Sequence, residues 1–168
     1  MTGAQLLSDA FERIREGVDD VVDGLSPDDL AFRPDDEANS IAWLIWHLTR
    51  VQDDHVAAAS GGEQTWTEDG WSDRFALPLE VADTGYGHDP DQVGLVTATA
   101  ELLRGYHDAV CQATRRFLTG VTDADCERVV DERWDPPVTM GVRLVSVIAD
   151  DLQHVGQAAY LRGLIERR

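Results

Sequence analysis

The chain has 168 residues, 43% of them apolar, which suits one domain with a sizeable core and rules out wholesale disorder. Its formal net charge is −18, with all 14 basic residues arginine, and this argues against a nucleic-acid partner, since phosphate recognition needs concentrated positive charge. The acidity fits solubility better than recognition, and the missing lysine, beside abundant Ala, Asp, Val and Gly, reads as the coding bias of a GC-rich genome.

In chain order, Leu7, Phe11, Ile14, Val18, Val21 and Leu25 recur at alternating steps of three and four. That is one apolar stripe on an amphipathic helix over residues 4–25, stopped by Gly24, Ser26 and Pro27. The segment SPDDLAFRPDDEANS then reads as a loop with a short turn, whose Leu30 and Phe32 tuck onto the bundle. Asn39 or Ser40 caps a second helix from Ile41 to about Ala59, closed by Gly61-Gly62. Its expected core stripe is Ile41, Leu44/Ile45, Leu48, Val51 and His55, with Trp43, His47 and Asp54 in a neighbouring row.

From Glu63 to Pro90 no helical period survives. Trp66, Trp71, Phe75 and Tyr86 lie among turn residues, so a connection of this length should pack down instead of flapping free. A third helix is expected from Asp89-Pro90-Asp91 through Val121, because Val93, Val96, Ala100, Leu103, His107, Val110, Thr114 and Phe117 keep the three-four spacing. TDADCERVVDERWDPPVTMG reads as a loop, and a fourth helix runs from about Met140 to Glu166. No strand pattern requires a sheet. The reading is an all-α fold: one domain over residues 1–168, a four-helix bundle with a long connection between its second and third helices.

Cys111 and Cys126 form neither a CxxC motif nor a disulfide framework, so they read as free thiols in a reducing compartment. The N-terminal stretch lacks the basic and apolar regions of a signal peptide, and no apolar run reaches the ~18 residues of a membrane span. The expectation is a cytoplasmic protein without a membrane partner.

Chemistry concentrates on the last helix. Asp150 and His154 stand at i and i+4, so they share a face about 6 Å apart along the axis and can close on one cation. A helix rarely supplies a third ligand, and His47 of the second helix is the best candidate for it. Bundles build metal sites in this way, from side chains on facing helices. Asp151, three positions before His154, is the alternative carboxylate. Asp54 follows His47 on the same face but about 10 Å further along, too far to share its ion, though within reach of a substrate. Arg143, two turns before Asp150, suits an anionic substrate group or a salt bridge, and Trp43 suits either the pocket wall or the core. His55 and His107 fall on apolar stripes and read as hydrogen-bonded core histidines; His88 shows no partner.

HLTRVQDDH on the second helix and GVRLVSVIADDLQHVGQAAYLRGL on the fourth resemble the DinB/YfiT-like superfamily, specifically the actinobacterial subgroup related to mycothiol-dependent maleylpyruvate isomerase. That resemblance implies a DinB-like four-helix bundle with a divalent metal, zinc or nickel first, held by His47 and by the Asp150/His154 pair, the latter followed by the family's Gly156-Gln157. The departure is Asp150, where the isomerase has glutamate, one methylene longer. The resemblance further implies mycothiol as cosubstrate, an electrophilic small molecule as its partner, S-transfer or isomerisation as the reaction, and a homodimer. Metal-assisted hydrolysis and a non-catalytic metal- or ligand-binding bundle are the alternatives.

Overall fold

The computed structural model describes residues 1–168. Its elements in chain order are α1 (Gly3–Val22), α2 (Pro27–Leu30), α3 (Ile41–Ser60), α4 (Thr65–Glu68), α5 (Trp71–Phe75), α6 (Pro90–Leu95), α7 (Ala100–Thr119), α8 (Asp123–Cys126), β1 (Val129–Asp131), β2 (Val138–Thr139) and α9 (Met140–Ile165). No helix is long and apolar enough to cross a membrane. The four long helices α1, α3, α7 and α9 make the bundle, where α1 and α3 each pack against both α7 and α9. Helices consecutive in the bundle, α1 then α3 and α7 then α9, therefore lie diagonally across it.

Each long helix begins on a side chain that accepts an otherwise orphaned backbone N–H. Thr2, Ser40, Thr99 and Thr139 cap α1, α3, α7 and α9 in turn. At the other end of α3, Gly61 adopts φ +72°, the left-handed conformation that glycine tolerates best. Gly17 sets how closely α1 approaches α9, because a Cβ there would stand 2.8 Å from Val155 Cγ1.

Three expectations need correction. The third helix is broken: α6 ends at Val96, which is extended (φ −83°, ψ 100°), and Thr99 caps a new helix. Val96 stays buried through the break, so the apolar spacing continues where the helix does not. Two short strands, β1 and β2, pair antiparallel ahead of α9 although no strand pattern announced them. Along the second half of α3 the buried face is Thr49, Gln52, Asp53 and Val56, whereas Val51 and His55 turn toward an open cavity. Buried polar residues are tolerated there because each makes at least one hydrogen bond to a neighbouring element or to its own helix backbone. Gln52 Nε2 donates to Thr114 Oγ1 (2.9 Å), and Tyr106 Oη donates to Asp53 (2.8 Å).

The long connection after α3 packs down. Trp66 and Phe75 are buried against Tyr106, and Trp66 Nε1 donates to the Val81 carbonyl (2.9 Å). Asp53 receives the backbone N–H groups of Thr65 (2.9 Å) and Trp66 (2.7 Å), while the buried Arg50 donates to the Asp83 carbonyl (3.1 Å) and Gln64 Oε1 (2.8 Å). This anchoring carries residues 83–88 back over α3.

Candidate metal centre

His47, Asp150 and His154 converge, each offering one ligand atom, with all three atoms within 4.8 Å of one another. The imidazoles of His47 and His154 lie 5.0 Å apart between centroids at an interplanar angle of 75°. Asp150 Oδ1 is 3.6 Å from His154 Nε2, and Asp150 Oδ2 is buried with no hydrogen-bond partner. Asp151 lies elsewhere. One residue on, about 100° around the helix, it is fully buried in the bundle, and burial first, then Asp150, pushes its carboxyl well above the usual range.

Both imidazoles are oriented from behind. His47 Nδ1 meets the Thr84 carbonyl at 2.5 Å, and since a carbonyl only accepts, Nδ1 carries the proton and Nε2 is left with a free lone pair able to ligate. His154 Nδ1 meets Gln157 Oε1 at 3.0 Å with the same consequence. Metal-bound histidines make this kind of outer hydrogen bond almost invariably. Burial also lowers the pKa of His47, against the opposing effect of Thr84, and favours the neutral ring that a metal requires.

Trp43 stacks on His47 at 4.5 Å and donates through Nε1 to His88 Nδ1 (3.1 Å). His88, partnerless in the sequence reading, closes the chain by bonding Asp83 through Nε2 (2.9 Å). Trp43 thus stands behind the site as a brace. Gly85 is the tight point: its φ is +86°, and a Cβ would come 2.8 Å from His47 Nδ1 and 2.9 Å from Trp46. Gly85→Ala should therefore displace the Thr84–His47 bond and weaken metal affinity by about 10–100-fold, the cost of losing an outer-shell partner. Titration of zinc against a chromophoric chelator reads this directly, and unchanged affinity would remove Thr84 from the account.

In front of the three converging side chains lies a cavity of about 590 Å³, bordered by His47 and Asp150 and walled by Asp54, His55, Asp131 and Arg143. Tyr86 and Trp134 stand at it with most of their surface exposed, at 92% and 64%. Arg143 is tied to Asp131 (2.9 Å), which also holds Arg133 (2.8 Å), and Asp54 accepts from Gln64 (2.8 Å). Of the residues read from sequence as substrate contacts, Asp54 and Arg143 line this cavity, while Trp43 lies behind His47. His55 is corrected from core residue to cavity wall, with its side chain 34% exposed and 3.7 Å from Asp54.

One arrangement imitates a nucleophilic dyad. Cys111 Sγ lies 3.3 Å from His107 Nε2, and His107 Nδ1 lies 3.1 Å from Thr49 Oγ1. Thr49 spends its own proton on the Ile45 carbonyl (2.6 Å), so it accepts from Nδ1–H, and the thiol donates to Nε2. Burial pushes Cys111 up to about 12 and His107 down to about 3, which is opposite to the thiolate–imidazolium pair of a cysteine nucleophile. The prediction is that iodoacetamide leaves Cys111 unmodified in the native protein. Mass spectrometry of the alkylated chain checks it, with the partly exposed Cys126 as the internal comparison.

A family model described as mycothiol-S-transferase matches residues 6–167. A solved structure from Enterococcus faecalis, described as a conserved protein of a locus of that organism, aligns with a TM-score of 0.91 at 32% identity, covering 100% of this chain and 99% of that one. No curated protein matches.

Proposed function

Because the chain belongs to the mycothiol-S-transferase family, we propose that it transfers a low-molecular-weight thiol of the mycothiol kind onto an electrophilic small molecule, at a divalent metal held by His47, Asp150 and His154. The observation that carries this reading is the donor set: two imidazoles fixed to present Nε2, and a carboxylate with one buried oxygen that nothing in the chain satisfies. Three such ligands leave coordination positions open, as catalytic zinc sites do. A divalent ion bound there supplies Lewis acidity, which lowers the pKa of a coordinating thiol until it is thiolate.

The protein's own groups account for the remainder. S-transfer breaks the thiol S–H bond and forms an S–C bond while the leaving group departs with its electron pair, so a proton must be accepted nearby. His55, on the wall of the same cavity two turns beyond His47, can take it up through intervening water. Burial first, then Arg143, lowers its pKa, and its imidazole is neutral and able to take up a proton at neutral pH. Asp54, 3.7 Å from it, steadies the imidazolium that results. Arg143, fixed in direction by Asp131, presents a cation toward the cavity for an anionic part of either substrate. The exposed rings of Tyr86 and Trp134 offer flat apolar contacts at the rim.

The test is turnover of an electrophile panel with and without mycothiol on metal-replete protein. Consumption that requires the thiol and yields the S-conjugate supports transfer. Turnover indifferent to thiol would replace this reading with metal-assisted hydrolysis, and a rearranged product with the thiol recovered would make the chain an isomerase.

A further inference from the structure

The cavity in front of the metal site has a second compartment. An outer lobe of about 420 Å³ shares Asp54, His55, Asp131, Arg133 and Arg143 with it but is lined by none of His47, Asp150 and His154. Its own lining is Ala58, Ala59, Val130 and Glu132. Helix α3 supplies the floor and sets the scale. Ala58 stands roughly three turns after His47, on the same face and about 16 Å along the axis, with Asp54 between them. The β1–β2 hairpin supplies the wall. Arg128 at its base donates to the Ala59 carbonyl (2.8 Å), and Asp131 of β1 holds Arg143 of α9 (2.9 Å), so three elements fix the lobe in advance.

The polar groups of this lobe are mixed and only partly used. Asp131 accepts from Nε and Nη2 of Arg133 and from Nη2 of Arg143, which leaves N–H donors on both guanidiniums. Asp54 Oδ1 accepts from Gln64 (2.8 Å), whereas Oδ2 stands 3.7 Å from His55 Nδ1, too far for a hydrogen bond, and stays available as an acceptor. Glu132 is exposed and adds another. On a chain of net charge −18, the three carboxylates here are nearly offset by two guanidiniums, so the lobe selects neither a strong anion nor a strong cation. Donors and acceptors side by side over a floor of two alanines suit hydroxyl groups, since each hydroxyl both donates and accepts.

We propose that this outer lobe binds a neutral, hydroxyl-rich ring of the thiol cosubstrate, carried about 10–16 Å from its sulfur. This rests on the transfer proposed above, in which the sulfur is the atom held at the metal. From there the row His47, Asp54, Ala58 measures the molecule. A thiol that fills both compartments must be long, and one the size of cysteine stops short of Ala58. Contacts made in the lobe are remote from the reacting bond, so their binding energy is available to position the sulfur. The short hairpin gains a purpose, because Val130, Asp131 and Glu132 make the outer wall and all three come from β1 or its edge.

myo-Inositol serves as a probe of the lobe alone. In NMR spectra of the zinc-loaded protein, millimolar inositol should shift the amides of Ala58, Ala59, Val130 and Glu132, while citrate and spermidine at the same concentration should not. Ala58→Phe fills the lobe from an exposed helix position, so the protein stays folded by circular dichroism, and it should abolish these shifts. Turnover is then compared for mycothiol, which bears hydroxylated rings, and N-acetylcysteine, which has none. The ratio of their kcat/KM values should fall at least ~10-fold in Ala58→Phe. Amides that ignore inositol, or that follow citrate instead, overturn the proposal, as does an unchanged ratio. A wild-type protein with no thiol-dependent turnover would sink the transfer and not the lobe: inositol shifts at these four amides would still establish a hydroxyl-binding site, and their absence would refute it.

Discussion

Replacing His154 with alanine should remove stoichiometric divalent metal and, with it, thiol-dependent turnover. Losing an outer-shell partner of a metal-bound histidine typically costs 10–100-fold in affinity, so losing the ligand itself should cost more than ~100-fold. What remains is His47 and Asp150, two donors from facing helices, with the carboxylate oxygen Oδ1 deprived of its neighbour at 3.6 Å. His47→Ala should match it, because the imidazoles contribute symmetrically, each fixed by one hydrogen bond at Nδ1. Asp150→Asn keeps the shape and one oxygen donor but removes the charge, so it should fall between these and wild type. Gln157→Ala leaves every ligand in place and should show only the outer-shell loss. Metal analysis of protein purified without tag or chelator gives the stoichiometry, and competition with a chelator gives the affinity. His154 is half-buried on a long helix, so the variant remains folded and far-UV circular dichroism verifies it. Metal retained at one equivalent by both His→Ala proteins would sink the site, and with it the reading of the cavity in front of it.

The convergence of the three candidate ligands is legible in sequence because helical geometry does the placing. An i,i+4 pair on one helix and a histidine on the apolar side of another need only the bundle to bring them together. The apparatus behind them is not legible. Thr84 contributes a backbone carbonyl, which has no residue signature, from a position 37 residues after His47. Asp83 and His88 read as loop residues because Trp43, which donates to His88, becomes a neighbour only once Arg50 and Asp53 pin the connection down. The turn residues Gly85 and Gly87 mark the backbone as tight but not what it touches. The same limit explains His55. Apolar spacing placed it on a core stripe through Val51, yet the interior side of that half-helix is polar and bonded to the elements around it, so the stripe falls on the cavity. It explains the third helix too, since a buried extended residue, Val96, fills the slot a helical one would.

Removal of the Asp53 carboxylate should be the most damaging single change to stability. The side chain is 4% exposed and receives three hydrogen bonds, from Thr65 N, Trp66 N and Tyr106 Oη, with the buried Arg50 guanidinium 3.8 Å away. Asp53→Ala leaves two backbone donors and a phenol without acceptors, and leaves a buried cation without its nearest carboxylate. Breaking a buried charge pair from one side costs about 3–5 kcal/mol, and for a chain of this size each kcal/mol lowers the melting temperature by ~2–4 °C. A fall of about 6–20 °C in thermal unfolding is therefore expected. The damage should also reach the metal: Arg50 donates to the Asp83 carbonyl, next to the Thr84 carbonyl that fixes His47, so loosening this anchor should lower metal affinity in a protein whose ligands are untouched. Asp151→Asn is the control that separates partnership from burial. Asp151 is just as deeply buried, but both of its oxygens lack partners and burial raises its pKa, so the isosteric amide forfeits no bond, removes the cost of protonating the carboxyl on folding, and should raise stability at neutral pH. Equal losses in the two variants would show that burial of a carboxyl, and not the bonds it accepts, decides the cost.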